Sequence, residues 1–234
     1  MKRKAIRTKL ILLAILLGLL CIAFLPNYLT QSKTKKVMSE YYASARWSKL
    51  KSEYENLSIQ ENSTLYYGNS MTENFKPYQT DSSVLNFGIS GDFSIGLIHR
   101  IHSVIRQQPA RLFIMIGIND IIENVPIDQV YSNYETILTS IIGNCPKTKL
   151  FIQSTLPTRD LNSTFTSSYS INKKVMLLNQ KLKTLCKEMN LTFVDLYPYF
   201  SDEDNLLKRQ LTTDGIHLTE EGYTLWSKQI NKFY

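Results

Sequence analysis

Five short runs of β-prone residues recur along the chain, and helical patterns fill the intervals between them. Several of these runs are almost continuously apolar, as expected for strands buried on both faces of a parallel sheet. The predicted strands are residues 64–67, 83–87, 111–116, 149–153 and 191–195. Strands that alternate with helices predict right-handed βαβ units and an α/β fold with helices on both faces of the sheet.

The helical patterns have recognisable starts. Apolar residues at helical spacing predict helices at 95–108, 127–142 and 171–189. Pro126 precedes the second of these, which is typical of a helix start. Thr219 is a suitable N-cap for a final helix.

The N-terminus is basic and then apolar. Eight of the 27 Lys and Arg residues lie in the first 36 positions, which hold no acid, so the rest of the chain is nearly neutral. This distribution indicates membrane topology and argues against a nucleic-acid-binding face. Residues 10–29 are long enough to cross a bilayer. We predict an uncleaved signal anchor with the following domain outside the cytoplasm; the alternative is a cleaved signal peptide and secretion.

The chain accordingly divides into three predicted segments: a signal anchor at 1–30, a juxtamembrane helical linker at 31–60 and a globular domain at 61–234. Three cysteines do not make a disulfide framework. Cys145 and Cys186 could pair, but the favoured interpretation is two unpaired cysteines in or near the core.

Chemically versatile residues follow the predicted strands, at the edge where open α/β sheets bind ligands. Ser70, Gly91 and Asn119 follow the first three strands, and Asp214 and His217 share a loop before the last helix. A serine hydroxyl becomes a nucleophile when a histidine takes its proton, and a carboxylate usually orients that histidine.

Each of these residues also has a purely structural interpretation. Asp214 could cap a turn and leave His217 satisfied in the core. Gly91 could be a loop glycine at positive φ, and Asn119 could cap the next helix. No single position decides between the two interpretations.

The other two histidines, His99 and His102, fall inside a predicted helix. We expect them to be surface or helix-packing residues. Their i, i+3 spacing could bind a metal, but no second cluster of ligands accompanies them. The sequence therefore predicts neither a metal nor another cofactor.

Taken in order, four blocks of the sequence resemble the SGNH hydrolases, also called the GDSL esterase/lipase family, over roughly residues 63–230. They are Gly-Asn-Ser-Met-Thr at 68–72, Asn-Phe-Gly-Ile-Ser-Gly-Asp at 86–92, Phe-Ile-Met-Ile-Gly-Ile-Asn-Asp at 113–120 and Asp-Gly-Ile-His-Leu at 214–218. The second and third are similar to the branch of platelet-activating factor acetylhydrolase and bacterial carbohydrate O-acetylesterases. The resemblance implies a flavodoxin-like three-layer α/β/α sandwich with a parallel sheet of about five strands.

Carried over by position, the resemblance implies that Ser70 attacks an ester carbonyl. His217 would be the general base and then the acid for the leaving alcohol, and Asp214 would orient it. The backbone N–H groups of Ser70 and Gly91, with the side chain of Asn119, would form the oxyanion hole. No metal or cofactor takes part in this implied mechanism.

One position departs from the family pattern. The first block usually reads Gly-Asp-Ser, whereas this chain carries Asn69 before Ser70. Asparagine keeps the size and loses a charge, so we expect loop rigidity or substrate preference to differ. Thr72 stands where the nucleophile elbow of α/β-hydrolases has its second glycine, which disfavours that fold.

Three functions are compatible with these residues. We expect a serine ester hydrolase that removes acyl groups, foremost acetyl, from a glycan or small ester outside the cytoplasm. The alternatives are an O-acetyltransferase for cell-surface glycans and a non-catalytic binding module that keeps the fold. The expected partners are an acylated substrate and the membrane, and the oligomeric state is open.

Overall fold

The computed structural model describes residues 29–75, 83–163 and 166–234. Two compact units are distinguished, residues 1–40 and residues 41–234. Residues 29–42 are helical (α1), and α2 follows at Ala45–Asn56. The larger unit thus begins twenty residues before the predicted domain start at 61.

A parallel sheet of five strands forms the centre of the larger unit. Its strands are β1 (Thr64–Gly68), β2 (Val84–Gly88), β3 (Arg111–Met115), β4 (Lys149–Gln153) and β7 (Thr192–Val194). Their order across the sheet is β2-β1-β3-β4-β7, and every neighbouring pair is parallel. If β7 is counted as the fifth strand of this sheet, the order is 2-1-3-4-5, which is the flavodoxin-like order. This order brings the carboxyl ends of β1, β2 and β3 side by side.

Helices occupy the connections, as the alternating pattern predicted. They are α3 (Ser70–Glu73), α4 (Ser94–His99), α5 (Ile101–Gln107), α6 (Ile118–Ile122), α7 (Ile127–Asn144), α8 (Ser168–Glu188), α9 (Tyr197–Phe200) and α10 (Glu220–Ile230). Short 3-10 turns lie at Arg209–Leu211 and Asn231–Phe233. A small antiparallel ribbon pairs β5 (Asn162–Ser163) with β6 (Thr166–Ser167) before α8. Thr219 caps α10, since its hydroxyl accepts from the Gly222 N–H.

Aromatic rings at matching register hold the centre of the sheet. Tyr66, Phe113 and Phe151 face one another on three neighbouring strands. Their rings stack with centroids 5.0 Å and 4.6 Å apart. Trp226 of α10 packs in the same core and donates to Gln153 at 2.6 Å. Burial of these aromatic side chains therefore holds α10 against this face of the sheet.

The helix predicted at 95–108 is two helices, because the chain bends at Arg100. This residue leaves helical geometry (φ −123°, ψ 18°) and its side chain is fully buried. Its guanidinium pairs with Asp92 at 2.8 Å. It also donates to the carbonyls of Phe87 (2.6 Å) and Gly68 (2.9 Å). One buried cation therefore joins the carboxyl ends of β1 and β2 to the loop that follows β2.

A second buried carboxylate fixes the start of α4. Asp120, on α6, accepts hydrogen bonds from the Ser94 N–H at 3.0 Å and the Ser94 hydroxyl at 2.7 Å. Asn133 of α7 donates to the same hydroxyl at 2.7 Å. The loop between β2 and α4 is thus tied to the elements that follow β3.

The predicted membrane span at 10–29 lies outside the described residues except for Leu29. Among helices of residues 29–75, 83–163 and 166–234, none is both long and apolar enough to cross a bilayer. Cys145 and Cys186 are buried and unpaired, as the favoured interpretation had it.

Replacing Arg100 by Met should destabilise the fold strongly. The change leaves Asp92 buried without its cation, and the free energy of unfolding should fall by about 3–5 kcal/mol. Denaturant unfolding followed by tryptophan fluorescence measures this loss. The double variant with Asp92→Asn should recover part of it; a loss below about 1 kcal/mol in the single variant would contradict the assigned role.

Asp120 should make stability depend on pH. Burial raises the pKa of Asp120 to about 7, whereas the pKa of a free aspartate is about 3.9. Between these values the native state holds a proton that the unfolded chain has released. The free energy of unfolding should therefore fall, by roughly 2–4 kcal/mol, as pH rises from about 4 to about 7. Denaturation series across this range should show a flatter profile for Asp120→Asn; equal slopes for both proteins would refute the assignment.

Candidate active site

Ser70 begins the short helix α3, two residues after the last residue of β1. Asn69 is the N-cap of this helix: its Oδ1 accepts the Met71 N–H at 3.1 Å, and its side chain is buried. An aspartate would make the same bond, so the departure from Gly-Asp-Ser preserves the cap. The serine is thereby presented at the carboxyl edge of the sheet, with 6% of its surface exposed.

Asp214 and His217 are held by one tight turn. Oδ1 of Asp214 accepts the N–H groups of Ile216 (2.9 Å) and His217 (2.8 Å). Oδ2 of Asp214 lies 2.6 Å from Nδ1 of His217. Gly215 has φ +88°, and a Cβ there would meet the Arg159 carbonyl at 1.8 Å. Only glycine fits at position 215, so the turn that holds Asp214 and His217 depends on it.

The ring of His217 lies between Asp214 and Ser70. Its Nε2 is 3.0 Å from the Ser70 hydroxyl oxygen. A carboxylate can only accept, so Nδ1 carries the proton and donates to Asp214. In the neutral ring, Nε2 is then free to accept the serine proton. Asp214 and His217 come 144 and 147 positions after Ser70 in the sequence, and the fold brings the three residues together.

The carboxylate of this group is stabilised in its charged form. Burial raises the pKa of Asp214, but hydrogen bonds from the His217 side chain and from the N–H groups of His217 and Ile216 outweigh that effect. The pKa of Asp214 therefore lies below its ordinary value. An ionised Asp214 keeps Nδ1 of the histidine protonated and stabilises positive charge on the ring.

The predicted oxyanion residues follow three neighbouring strands: Ser70 begins α3 after β1, Gly91 lies in the loop after β2, and Asn119 lies in α6 after β3. The side-chain amide of Asn119 donates to the Asp92 carbonyl at 2.9 Å, and its second N–H remains to donate elsewhere. The N–H groups of Ser70 and Gly91 donate to no other residue within the described part of the chain. Three donors of the kind that stabilise a tetrahedral oxyanion thus follow the carboxyl ends of β1, β2 and β3.

A narrow apolar depression adjoins the two residues that flank Ser70, namely Asn69 and Met71. Loops after β3, after β4 and before α10 complete it. Its apolar lining residues include Met115, Ile116, Ile118, Leu156, Pro157 and Ile216. The depression offers an apolar surface beside the start of α3.

Two residues that support the site were missed in the sequence. Arg100 falls within the helix predicted at 95–108 and was not singled out, although its spacing from Leu97 and Val104 places it on the buried face. Glu73 of α3 accepts the Ser90 N–H at 2.6 Å and links the serine helix to the Gly91 loop. No local pattern marks Glu73, because its partner comes from another strand end.

The other two histidines lie on the helices α4 and α5. His99 and His102 are exposed, and His99 makes an edge contact with the Tyr42 ring at 5.2 Å. Within the described ranges, no group of three or more His, Cys, Asp or Glu side chains is arranged to hold a metal ion.

Known proteins of similar sequence include the N-acylneuraminate cytidylyltransferase of Streptococcus agalactiae serotype V, which is 24% identical over 149 residues. The match takes in 63% of this chain and 34% of that protein. The chain thus spans about a third of the length of the curated relatives it matches first.

Solved structures share the fold. A platelet activating factor-like protein of Streptococcus pneumoniae superposes with a TM-score of 0.73 at 24% identity, covering 86% of this chain and 98% of the other. A GDSL-like lipase of Bacteroides thetaiotaomicron gives 0.71 at 26% identity, with coverages of 80% and 96%. An acetylxylan esterase of Geobacillus stearothermophilus gives 0.58 at 17% identity, with coverages of 75% and 94%.

The family model described as GDSL-like lipase/acylhydrolase matches residues 60–225, well over half of the chain. The matched region includes every predicted site residue from Ser70 to His217. The chain therefore belongs to the GDSL-like lipase/acylhydrolase family.

Proposed function

We propose that this chain is a serine acylesterase that works through Ser70, His217 and Asp214. The observation that carries the proposal is the 3.0 Å separation between His217 Nε2 and the Ser70 hydroxyl, with Asp214 2.6 Å from the opposite ring nitrogen. Nucleophile, base and orienting acid are already within hydrogen-bonding reach.

The proposed reaction has two halves. His217 removes the Ser70 proton as the hydroxyl oxygen attacks the ester carbonyl, and the same proton then passes to the leaving alcohol. The acyl-enzyme is hydrolysed by a water that His217 deprotonates, which returns the proton to Ser70 and releases the acid. Asp214 stays ionised throughout and stabilises the imidazolium.

The oxyanion formed in each half would be bound by the N–H groups of Ser70 and Gly91 and by the Asn119 amide. Each such donor is worth about 3 kcal/mol of transition-state stabilisation. The contact between Asn119 and the Asp92 carbonyl supports this assignment, since it holds the amide beside the Gly91 loop.

We further propose that the acyl group is small, acetyl in the first instance, and that the alcohol belongs to a glycan or a small ester. The narrow apolar depression beside Asn69 and Met71 suits a short acyl chain. The fold likeness to an acetylxylan esterase supports the same assignment.

Ser70→Ala should remove the esterase activity. Without the nucleophile, kcat on p-nitrophenyl acetate should fall by roughly 10⁴-fold or more. A fluorophosphonate probe should label Ser70 in the unchanged protein, as mapped by mass spectrometry. Ser48→Ala, at an exposed serine of α2, is the matched control and should keep full activity.

The Ser70 proposal fails if Ser70→Ala retains activity, or if the probe labels another residue. The same assay with acetyl, butyryl and octanoyl esters tests the acyl assignment. We expect kcat/KM to decline as the chain lengthens, and a preference for the octanoyl ester would exclude a small acyl group.

The domain is proposed to lie outside the cytoplasm, anchored by residues 10–29. The basic residues before this apolar stretch support that orientation. An amine-reactive biotin reagent that does not cross membranes should label domain lysines such as Lys147 in intact cells. Lys2 and Lys4 are the internal control and should react only after lysis. Labelling of Lys147 that also requires lysis would place the domain inside.

A further inference from the structure

The loop after β2 contains a turn whose central peptide carries one of the proposed oxyanion donors. The Asp92 N–H donates to the Ile89 carbonyl at 3.1 Å, which closes a four-residue turn. Gly91, its third residue, has φ +82°, the value of a type II turn. The central peptide unit of this turn consists of the Ser90 carbonyl and the Gly91 N–H.

The type of this turn decides where the Gly91 N–H points. Type I and type II turns differ by a flip of the central peptide unit. In a trans peptide the C=O and N–H bonds point to opposite sides. Whatever holds the Ser90 carbonyl on one side therefore keeps the Gly91 N–H on the other.

Tyr41 holds that carbonyl. Its hydroxyl donates to the Ser90 oxygen at 2.9 Å. Its ring also covers Gly91, where an added Cβ would lie 2.8 Å from ring atom Cε2. Tyr41 belongs to the same compact unit as the sheet, although it precedes the region matched by the family model.

Glu73 holds the other polar group of Ser90. Its Oε2 accepts the Ser90 N–H at 2.6 Å, and its Oε1 accepts from Arg46 at 2.6 Å. Burial raises the pKa of Glu73, but the bonds from Arg46 and Ser90 outweigh that effect and keep the pKa below its ordinary value. Ser90 is therefore held between Tyr41 and the helix that begins with Ser70.

We propose that Tyr41 is a positioning residue for the oxyanion hole, since its hydroxyl holds the Ser90–Gly91 peptide in the orientation that presents the Gly91 N–H. The inference rests on the proposed function, because it takes Gly91 as an oxyanion donor. It extends the catalytic machinery to a residue outside the segment that defines the family.

The chemistry of tyrosine suits this role. Burial raises the pKa of Tyr41 well above its ordinary value, so its hydroxyl keeps the proton that it donates. A donor on the carbonyl also polarises the amide and strengthens the N–H of the same peptide. Phenylalanine would keep the ring over Gly91 and lose both effects.

Tyr41→Phe in the full-length protein tests the proposal. We expect kcat for p-nitrophenyl acetate to fall roughly five- to tenfold, because one hydrogen bond that favours the active orientation is lost. KM should stay within about twofold of its value in the unchanged protein. Tyr54→Phe is the matched control: its buried hydroxyl donates to the Gly88 carbonyl at 2.8 Å, outside the Ser90–Gly91 peptide. That control should keep kcat.

Nuclear magnetic resonance gives a second readout that a general loss of stability would not produce. In Tyr41→Phe, the Gly91 amide should show exchange between two orientations, whereas Tyr54→Phe should leave it as a single sharp resonance. An unchanged kcat together with a single Gly91 resonance in Tyr41→Phe would overturn the proposal. Equal losses of kcat in both tyrosine variants would overturn it as well.

Failure of this inference differs from failure of the proposed function. If Ser70→Ala is inactive while Tyr41→Phe keeps both full kcat and a single Gly91 resonance, the serine mechanism stands and the role of Tyr41 is wrong. If Ser70→Ala is active, the proposed function itself is wrong, whatever Tyr41→Phe shows.

Discussion

The guanidinium of Arg100 lies in the interior, against the carboxyl ends of β1 and β2, and the site depends on it. A buried cation must satisfy its N–H groups within the protein, and Arg100 does so on Asp92 and on the carbonyls of Gly68 and Phe87. The segments that carry Ser70 and Gly91 follow shortly after these two residues. A rigid, planar group thus braces two strand ends that the pairing of β1 with β2 already holds side by side.

The remaining polar contacts extend this arrangement outward. Asp92 receives the Asn119 amide on its backbone carbonyl, and Asp120 binds Ser94 at the start of α4. These bonds connect the loops after β2 and β3. Preorganised donors are effective in catalysis because they need no reorganisation when charge develops. The buried network thus provides the rigidity that an oxyanion hole requires.

The fold itself was largely predictable from the sequence, since it follows from local periodicity. All five strands were predicted to within one residue at each end, and Thr219 was predicted as the cap of α10. The helix predicted at 95–108 was wrong in one respect, the break at Arg100. Periodicity shows that Arg100 faces inward. It cannot show that carbonyl groups at the ends of β1 and β2 accept hydrogen bonds from its side chain.

The sequence alone determined the family and the parallel sheet, and it singled out Ser70, Asp214 and His217 as the proposed catalytic residues, because four short blocks occur along the chain in a characteristic order. Only the tertiary structure decided how they meet. The 3.0 Å contact of Ser70 with His217, and the contact of Tyr41 with Ser90, join segments that are distant along the chain. Such contacts depend on packing among several elements, and packing leaves no periodic signal in the segment that contributes the side chain.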